Sequence, residues 1–295
     1  MTSLARAVYK TLAFFDAQDM PLTLLETREY LGEKAAVGVT EIENVLNSET
    51  SGLVEHRDGF YFLRGREELV ELRKRKYRVS LQNFRKAKKY LRFLRFFPYL
   101  RAVAISGSLA LLNSSDNSDI DLFVITKKNR IWLTRFLISL YFQILGVRRH
   151  GGKIRGRFCL NHYLSEGQAI TTDQNLYTAV EYMSLMPVLG RSSLEKFWQE
   201  NAWIAQYIPP PLATRLRNGQ GGGVGGEVEF SPMLRIFEII LDWSVAPLLN
   251  YLSGLYQKRR IRQEEHILVA DSELSFHPGS RGQKVLAKFA QTLYS

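Results

Sequence analysis

Asp119 and Asp121 stand two positions apart, flanking Ile120, at the head of an apolar run over residues 122–125. A short distance upstream, another apolar run over 103–105 ends at Gly107-Ser108. On a strand, residues two apart point to the same face, so the two carboxylates converge at a strand edge. Like charges that close repel, and a divalent cation relieves the repulsion. Gly107 has no Cβ and lets backbone approach a ligand closely. Ser108 and the helix start after it offer donors to phosphate oxygens. The expected chemistry pairs a metal held by Asp119 and Asp121 with a polyphosphate cradled by Gly107 and Ser108.

Positioning these residues requires a small sheet. The pattern predicts a strand over 101–106, a short helix over 109–113 and a second strand over 120–126. A long apolar helix over 130–147 and a third strand over 158–165 follow. That order, with a mixed sheet, resembles the polymerase β-type nucleotidyltransferase superfamily. The resemblance rests on Gly107-Ser108, the short spacer and Asp119-x-Asp121 leading into a strand, and it covers about residues 101–126 closely. It implies Mg²⁺-dependent (or Mn²⁺-dependent) transfer of a nucleoside monophosphate from a nucleoside triphosphate to an acceptor hydroxyl, with metal stabilising the in-line displacement. Metal-dependent glycosyltransferases also carry Asp-x-Asp, but lack the short Gly-Ser spacing.

The family places a third carboxylate on the next strand, and the position falls here on Asn161. Strict alternation puts Phe158, Leu160 and His162 on one face and Cys159, Asn161 and Tyr163 on the other. Asparagine can ligate metal weakly but takes no proton. The base is then His162, Glu166 or the substrate itself, or the chain binds nucleotide without turning it over. Lys127 and Lys128 follow the second strand, and Arg148, Arg149, Lys153, Arg155 and Arg157 precede the third. They read either as solvated loops or as contacts to the triphosphate, with Gly151-Gly152 freeing a lid.

The flanks divide the chain into expected units. Residues 1–65 predict a winged-helix-like domain: helices over 4–16, 22–31 and 40–46, the last capped by Thr40 and Glu43, then a hairpin turning at Asp58-Gly59. Residues 66–98 predict a basic connecting helix, running over 66–97 and stopped by Pro98, and 99–170 the transferase core. Residues 171–295 predict a helical region, with helices over 177–189, 193–208 and 281–293 and a glycine-rich loop over 218–226. In the helical segment 230–263, Arg235, Glu238 and Asp242 share one face, a pattern suited to lying against a partner or a bilayer surface. The fold class expected is α+β.

The chain of 295 residues carries a formal charge of +11, which favours an anionic partner. Its single cysteine excludes an intramolecular disulfide and fits a reducing, cytoplasmic setting. No transmembrane segment is expected: the most apolar stretches are interrupted by charge or proline. Two functional readings follow. The first is the nucleotidyltransferase, acting on a nucleic acid or on a hydroxyl of a partner protein. The alternative is a catalytically weak, nucleotide-sensing regulator that binds nucleic acid through its basic helix and winged-helix-like unit.

Overall fold

The computed structural model describes residues 1–31, 37–208, 230–261, 267–276 and 280–294. The glycine-rich segment 218–226 lies outside them. The fold is mixed α+β.

The chain begins with α1 (Ser3–Asp16), β1 (Leu22–Thr23), α2 (Leu24–Glu29), α3 (Val39–Ser48), β2 (Val54–Arg57) and β3 (Phe60–Leu63). Thr2 caps α1, and its apolar stripe buries Val8, Leu12 and Phe15. Thr23 and Glu26 form a reciprocal capping box on α2. The box on α3 starts two residues earlier than the sequence indicates, with Glu41 rather than Glu43 reaching back to the cap, at Gly38. The hairpin turns as expected, since Asp58 and Gly59 both have positive φ (52° and 79°), the twist a two-residue turn between antiparallel strands needs. The small sheet has the order β1-β3-β2, all antiparallel.

The basic helix α4 (Glu68–Leu91) is shorter than 66–97, because residues Arg92–Phe96 tighten into a 3₁₀ turn before Pro98. Its apolar side buries Leu69, Val70, Phe84 and Leu91, while Arg75, Arg78, Arg85, Lys89 and Arg92 form an exposed stripe. Arg73 turns inward, pairs with Glu26 at 2.6 Å and donates to the carbonyls of Leu111 and Leu112. It therefore joins the N-terminal helices to the main sheet.

That sheet has six strands in the order β7-β4-β5-β6-β9-β8. They are β4 (Leu100–Ile105), β5 (Ile120–Thr126), β6 (Phe158–Ser165), β7 (Met186–Leu189), β8 (Leu268–Val269) and β9 (Glu273–Ser275). Only β5 and β6 run parallel, and the crossover helix α6 (Ile131–Ile144) joins them. A short α5 (Gly107–Ala110) links β4 to β5. One face of the sheet packs Val103, Leu122, Val124 and Tyr163 against α4 and α6. The other packs Ala104, Phe123 and Ile125 against α7 (Leu176–Met183), α8 (Arg191–Glu200) and the N-terminal helices.

The helix expected over 177–189 stops at Met183, and Met186–Leu189 instead forms the edge strand beside β4. Pro187 explains the change: it cannot donate in a helix interior but is tolerated on an edge strand. The region 171–295 is therefore not wholly helical, since it contributes β7, β8 and β9 to the main sheet. The segment after 230 forms a helix pair, α9 (Pro232–Trp243) and α10 (Ala246–Arg260), with Pro247 in the first turn of α10. A last helix, α11 (Ser280–Tyr294), packs on α1 and α7.

Candidate functional site

The site forms where β4 ends and β5 begins. The two strands are antiparallel, Ile105 faces Leu122, and the N–H of Ser106 donates to the Asp121 carbonyl at 3.0 Å. The chain then turns sharply at Gly107, whose φ is +63°. A Cβ at Gly107 would lie 2.7 Å from Asp121 Oδ2. Glycine is thus required twice, by the backbone angle and by the closeness of a carboxylate. After α5, the N–H of Asn113 donates to the Ser108 carbonyl at 2.8 Å and Leu112 takes a positive φ, so the loop doubles back toward β5. The turn over 114–118 is pinned from behind: Ser114 N–H donates to Ser80 Oγ of α4, and Ser118 accepts from Gly156.

Asp119 and Asp121 converge as their spacing requires. One ligand atom from each, together with Cys159 Sγ, fits within 4.8 Å. Arg149 reaches this cluster from the loop before β6, its Nη1 2.6 Å from Asp119 Oδ2. Burial opposes the charge on Arg149, yet Asp119 and Cys159 hold its pKa above the ordinary guanidinium value. Burial, then Asp121 and Asp119, push the Cys159 thiol up to about 12, so it stays protonated at neutral pH.

Asn161 also reaches the site, its Nδ2 donating to Asp121 Oδ1 at 2.9 Å. Alternation places it on the face of Cys159, as expected, but fails beyond it. The pairing of β5 with β6 slips between Asp121↔Cys159 and Phe123↔His162, so three residues of β6 oppose two of β5. This bulge places Phe158, Leu160 and Tyr163 together in the core against α6, while His162 moves to the opposite face. The expected grouping of His162 with Phe158 and Leu160, and of Tyr163 with Asn161, is corrected accordingly. The His162 ring is 2 % exposed, lies 3.2 Å from Glu273 and packs edge-on to Phe123. It is buried in the core, away from any entering substrate.

Lys127 and Lys128 do not join the site. They follow the far end of β5, about 20 Å from Asp121 at a rise of ~3.3 Å per residue. Lys127 pairs with Asp242 of α9, and the N–H of Lys128 lies 3.4 Å from Glu166. Glu166 is at the same far end, paired with Arg101 at 3.4 Å, and cannot serve as a base beside Asp121. The cation that does reach the carboxylates is Arg149, from the loop that sequence charge had also marked.

Tyr177 of α7 had no sequence signal, because it comes from an element distant in the chain. Burial first, then Glu181 and Asp121, push its phenol up to about 12, against the opposing effect of Arg281. Tyr177 also packs against Gly282 of α11, where a Cβ would sit 2.9 Å from its ring.

The donor set fits a hard divalent cation in part. Two carboxylates are suitable oxygen ligands, and Asn161, whose Nδ2 meets Asp121, carries a buried Oδ1 with no hydrogen-bond partner among the described residues, an acceptor that a turn of the amide would bring to them. The neutral Cys159 thiol is a poor ligand for Mg²⁺. Among the described residues no third carboxylate enters the cluster. Comparison with protein families, curated proteins and solved structures finds no match for this chain.

Proposed function

We propose that this chain is a Mg²⁺- or Mn²⁺-dependent nucleotidyltransferase that moves a nucleoside monophosphate from a nucleoside triphosphate to an acceptor hydroxyl. The observation that carries the reading is the convergence of Asp119 and Asp121, with the Asp121 carboxylate closed against the Cβ-free backbone of Gly107 at the junction of two strands. Asp119, Asp121 and the Asn161 amide oxygen would hold the metal. The bound ion would supply charge neutralisation on the phosphates.

The chain's own groups have separable parts. Gly107 allows backbone to approach a phosphate oxygen, and the half-buried Ser108 hydroxyl supplies a donor beside it. Arg149 balances Asp119 and is a ready partner for phosphate oxygens, since guanidinium matches that geometry. Asn161 orients Asp121 by its 2.9 Å hydrogen bond but accepts no proton. The acceptor's proton must therefore leave through the substrate phosphate or through solvent, which favours slow turnover or an already acidic hydroxyl.

The second reading, a nucleotide-sensing and nucleic-acid-binding regulator with weak catalysis, is favoured by that missing carboxylate. It also draws on the arrangement of three helices and a hairpin at the N-terminus, which is winged-helix-like in order. Electrostatics limit it. The exposed side of α3 carries Glu41 and Glu43, and α3 has no Lys or Arg, so it is badly suited to a nucleic-acid groove. The exposed stripe on α4 is the better phosphate-binding surface.

The test is incubation with each labelled nucleoside triphosphate and Mg²⁺ or Mn²⁺, for the native chain and for Asp119→Ala/Asp121→Ala. Metal-dependent nucleotide binding that disappears in the variant supports the site, and transfer of label to an acceptor supports the enzyme. Binding indifferent to both carboxylates would refute the reading.

A further inference from the structure

Helix α9 is built inside out. Its polar side faces the protein: Glu238 is 2 % exposed, pairs with Arg101 at 2.8 Å and accepts the N–H of Tyr99. One turn on, Asp242 pairs with Lys127 and Arg130. The opposite side carries Met233, Ile236, Phe237, Ile239, Ile240 and Trp243, each half or more exposed, Trp243 by 88 %. Helix α10 repeats the inversion. Asn250 accepts the N–H of Leu133, and Gln257 bonds the Trp132 carbonyl and Arg135, both pointing inward. Leu248, Tyr251, Leu252 and Leu255 point outward. A helix that faces water has the reverse pattern, and a continuous apolar surface of this size marks an interaction site.

We infer that α9 and α10 lie flat in the surface of an anionic phospholipid bilayer. Charge selects this occupant over a second copy of the chain. The two helices contain two acids, Glu238 and Asp242, and both are turned inward. Their cations, Arg235, Lys258, Arg259 and Arg260, are all exposed, and of the last three only Lys258 pairs with an acid among the described residues, Asp271 at 2.9 Å, within a chain of net charge +11. Such a surface repels its own copy and attracts anionic headgroups. Trp243, Tyr251 and Tyr256 supply the aromatic side chains that settle at the headgroup level. Length decides between lying and crossing. Helices of 12 and 15 residues span about 18 and 22 Å, short of the ~30 Å hydrocarbon core. No helix among the described residues is long and apolar enough to cross a membrane. The expected mode is therefore interfacial, combining apolar insertion with electrostatic attraction.

The full chain is mixed with vesicles of phosphatidylcholine alone or of phosphatidylcholine and phosphatidylglycerol in equal parts, and bound protein is sedimented. Binding is expected to the anionic vesicles and to weaken with salt. Trp243 fluorescence should shift to the blue and be quenched by brominated acyl chains, and Trp243→Phe should remove most of that quenching. Ile236→Glu/Ile240→Glu should lower partitioning roughly tenfold or more, with unchanged circular dichroism because both side chains point outward. Leu248→Gln/Leu252→Gln on α10 repeats the test should the first variant misfold. The inference is overturned if anionic vesicles bring down no protein, or if bromolipid leaves Trp243 unquenched. It is equally overturned if the apolar substitutions abolish self-association in sedimentation velocity while vesicle binding is absent or unaffected, which would make this face a contact between copies.

Discussion

Gly107 and Gly146 offer a matched pair of substitutions. Their φ angles are +63° and +64°, so replacing either with alanine imposes the same left-handed backbone strain, about 1 kcal/mol. Their surroundings differ. A Cβ at Gly146 meets nothing within 4 Å, whereas one at Gly107 lies 2.7 Å from Asp121 Oδ2. Relieving that contact requires the Asp121 carboxylate to swing away, which breaks its 2.9 Å hydrogen bond from Asn161. A hydrogen bond to a charged group is worth about 1.5–3 kcal/mol. Urea unfolding should therefore show Gly146→Ala losing about 1 kcal/mol and Gly107→Ala about 2–4 kcal/mol. Titration with Mn²⁺ should separate the two further, with affinity reduced in Gly107→Ala and unchanged in Gly146→Ala. Equal destabilisation by the two substitutions, with metal binding the same in both, would refute the claim that Gly107 exists to let a carboxylate close on the backbone.

Further outcomes follow from other contacts. Glu238→Ala should cost about 3–5 kcal/mol in urea unfolding, because it removes the buried carboxylate that accepts from both Nη atoms of Arg101 and from the Tyr99 N–H, leaving the guanidinium only the half-exposed Glu166 as an acidic partner among the described residues; Arg101→Leu/Glu238→Met should recover much of that loss. Cys159, its thiol raised to about 12, should react with an alkylating agent at pH 8 on the order of a thousandfold more slowly than an ordinary thiol, and Asp121→Asn should speed it by lowering that pKa. Burial opposes the charge on Asp242, but hydrogen bonds from Lys127 and Arg130 hold its pKa below the ordinary 3.8. Its contribution to stability is therefore present above pH 3.8 and lost as pH falls through the lower folded value, so Asp242→Asn should flatten the acid limb of the stability profile.

The legible parts of the sequence were those fixed by local pattern. β5 and β6 keep the predicted bounds because continuous apolar runs bracketed by turn residues leave little choice of where a strand starts and ends. The Asp58-Gly59 hairpin was readable for the same local reason. The missed elements are those stabilised only by distant partners. β9 is three residues, Glu-Leu-Ser, and becomes a strand because β6 offers an edge to pair with. The bulge between Cys159 and His162 leaves no trace in composition, yet it turns His162 toward Phe123 and Tyr163 into the core against α6. Lys127 and Lys128 misled because nearness in sequence is not nearness in space: a seven-residue strand carries its two ends to opposite sides of the sheet.

That separation links the two surfaces. β5 starts at the carboxylates and ends at Lys127, which clamps Asp242 on the inner side of α9. β4 runs the other way, from Arg101, which holds Glu238, to the turn at Gly107. The adjacent strands β4 and β5 thus anchor the apolar helix at one end and build the metal-binding candidate at the other, about 20 Å apart along the strand. The residues that would insert, on the outer face of α9, are thus not the residues that would hold metal, and the two activities should be separable. Ile236→Glu/Ile240→Glu should lower vesicle binding and leave metal-dependent nucleotide binding intact. Loss of nucleotide binding in that variant would show that the two surfaces are one.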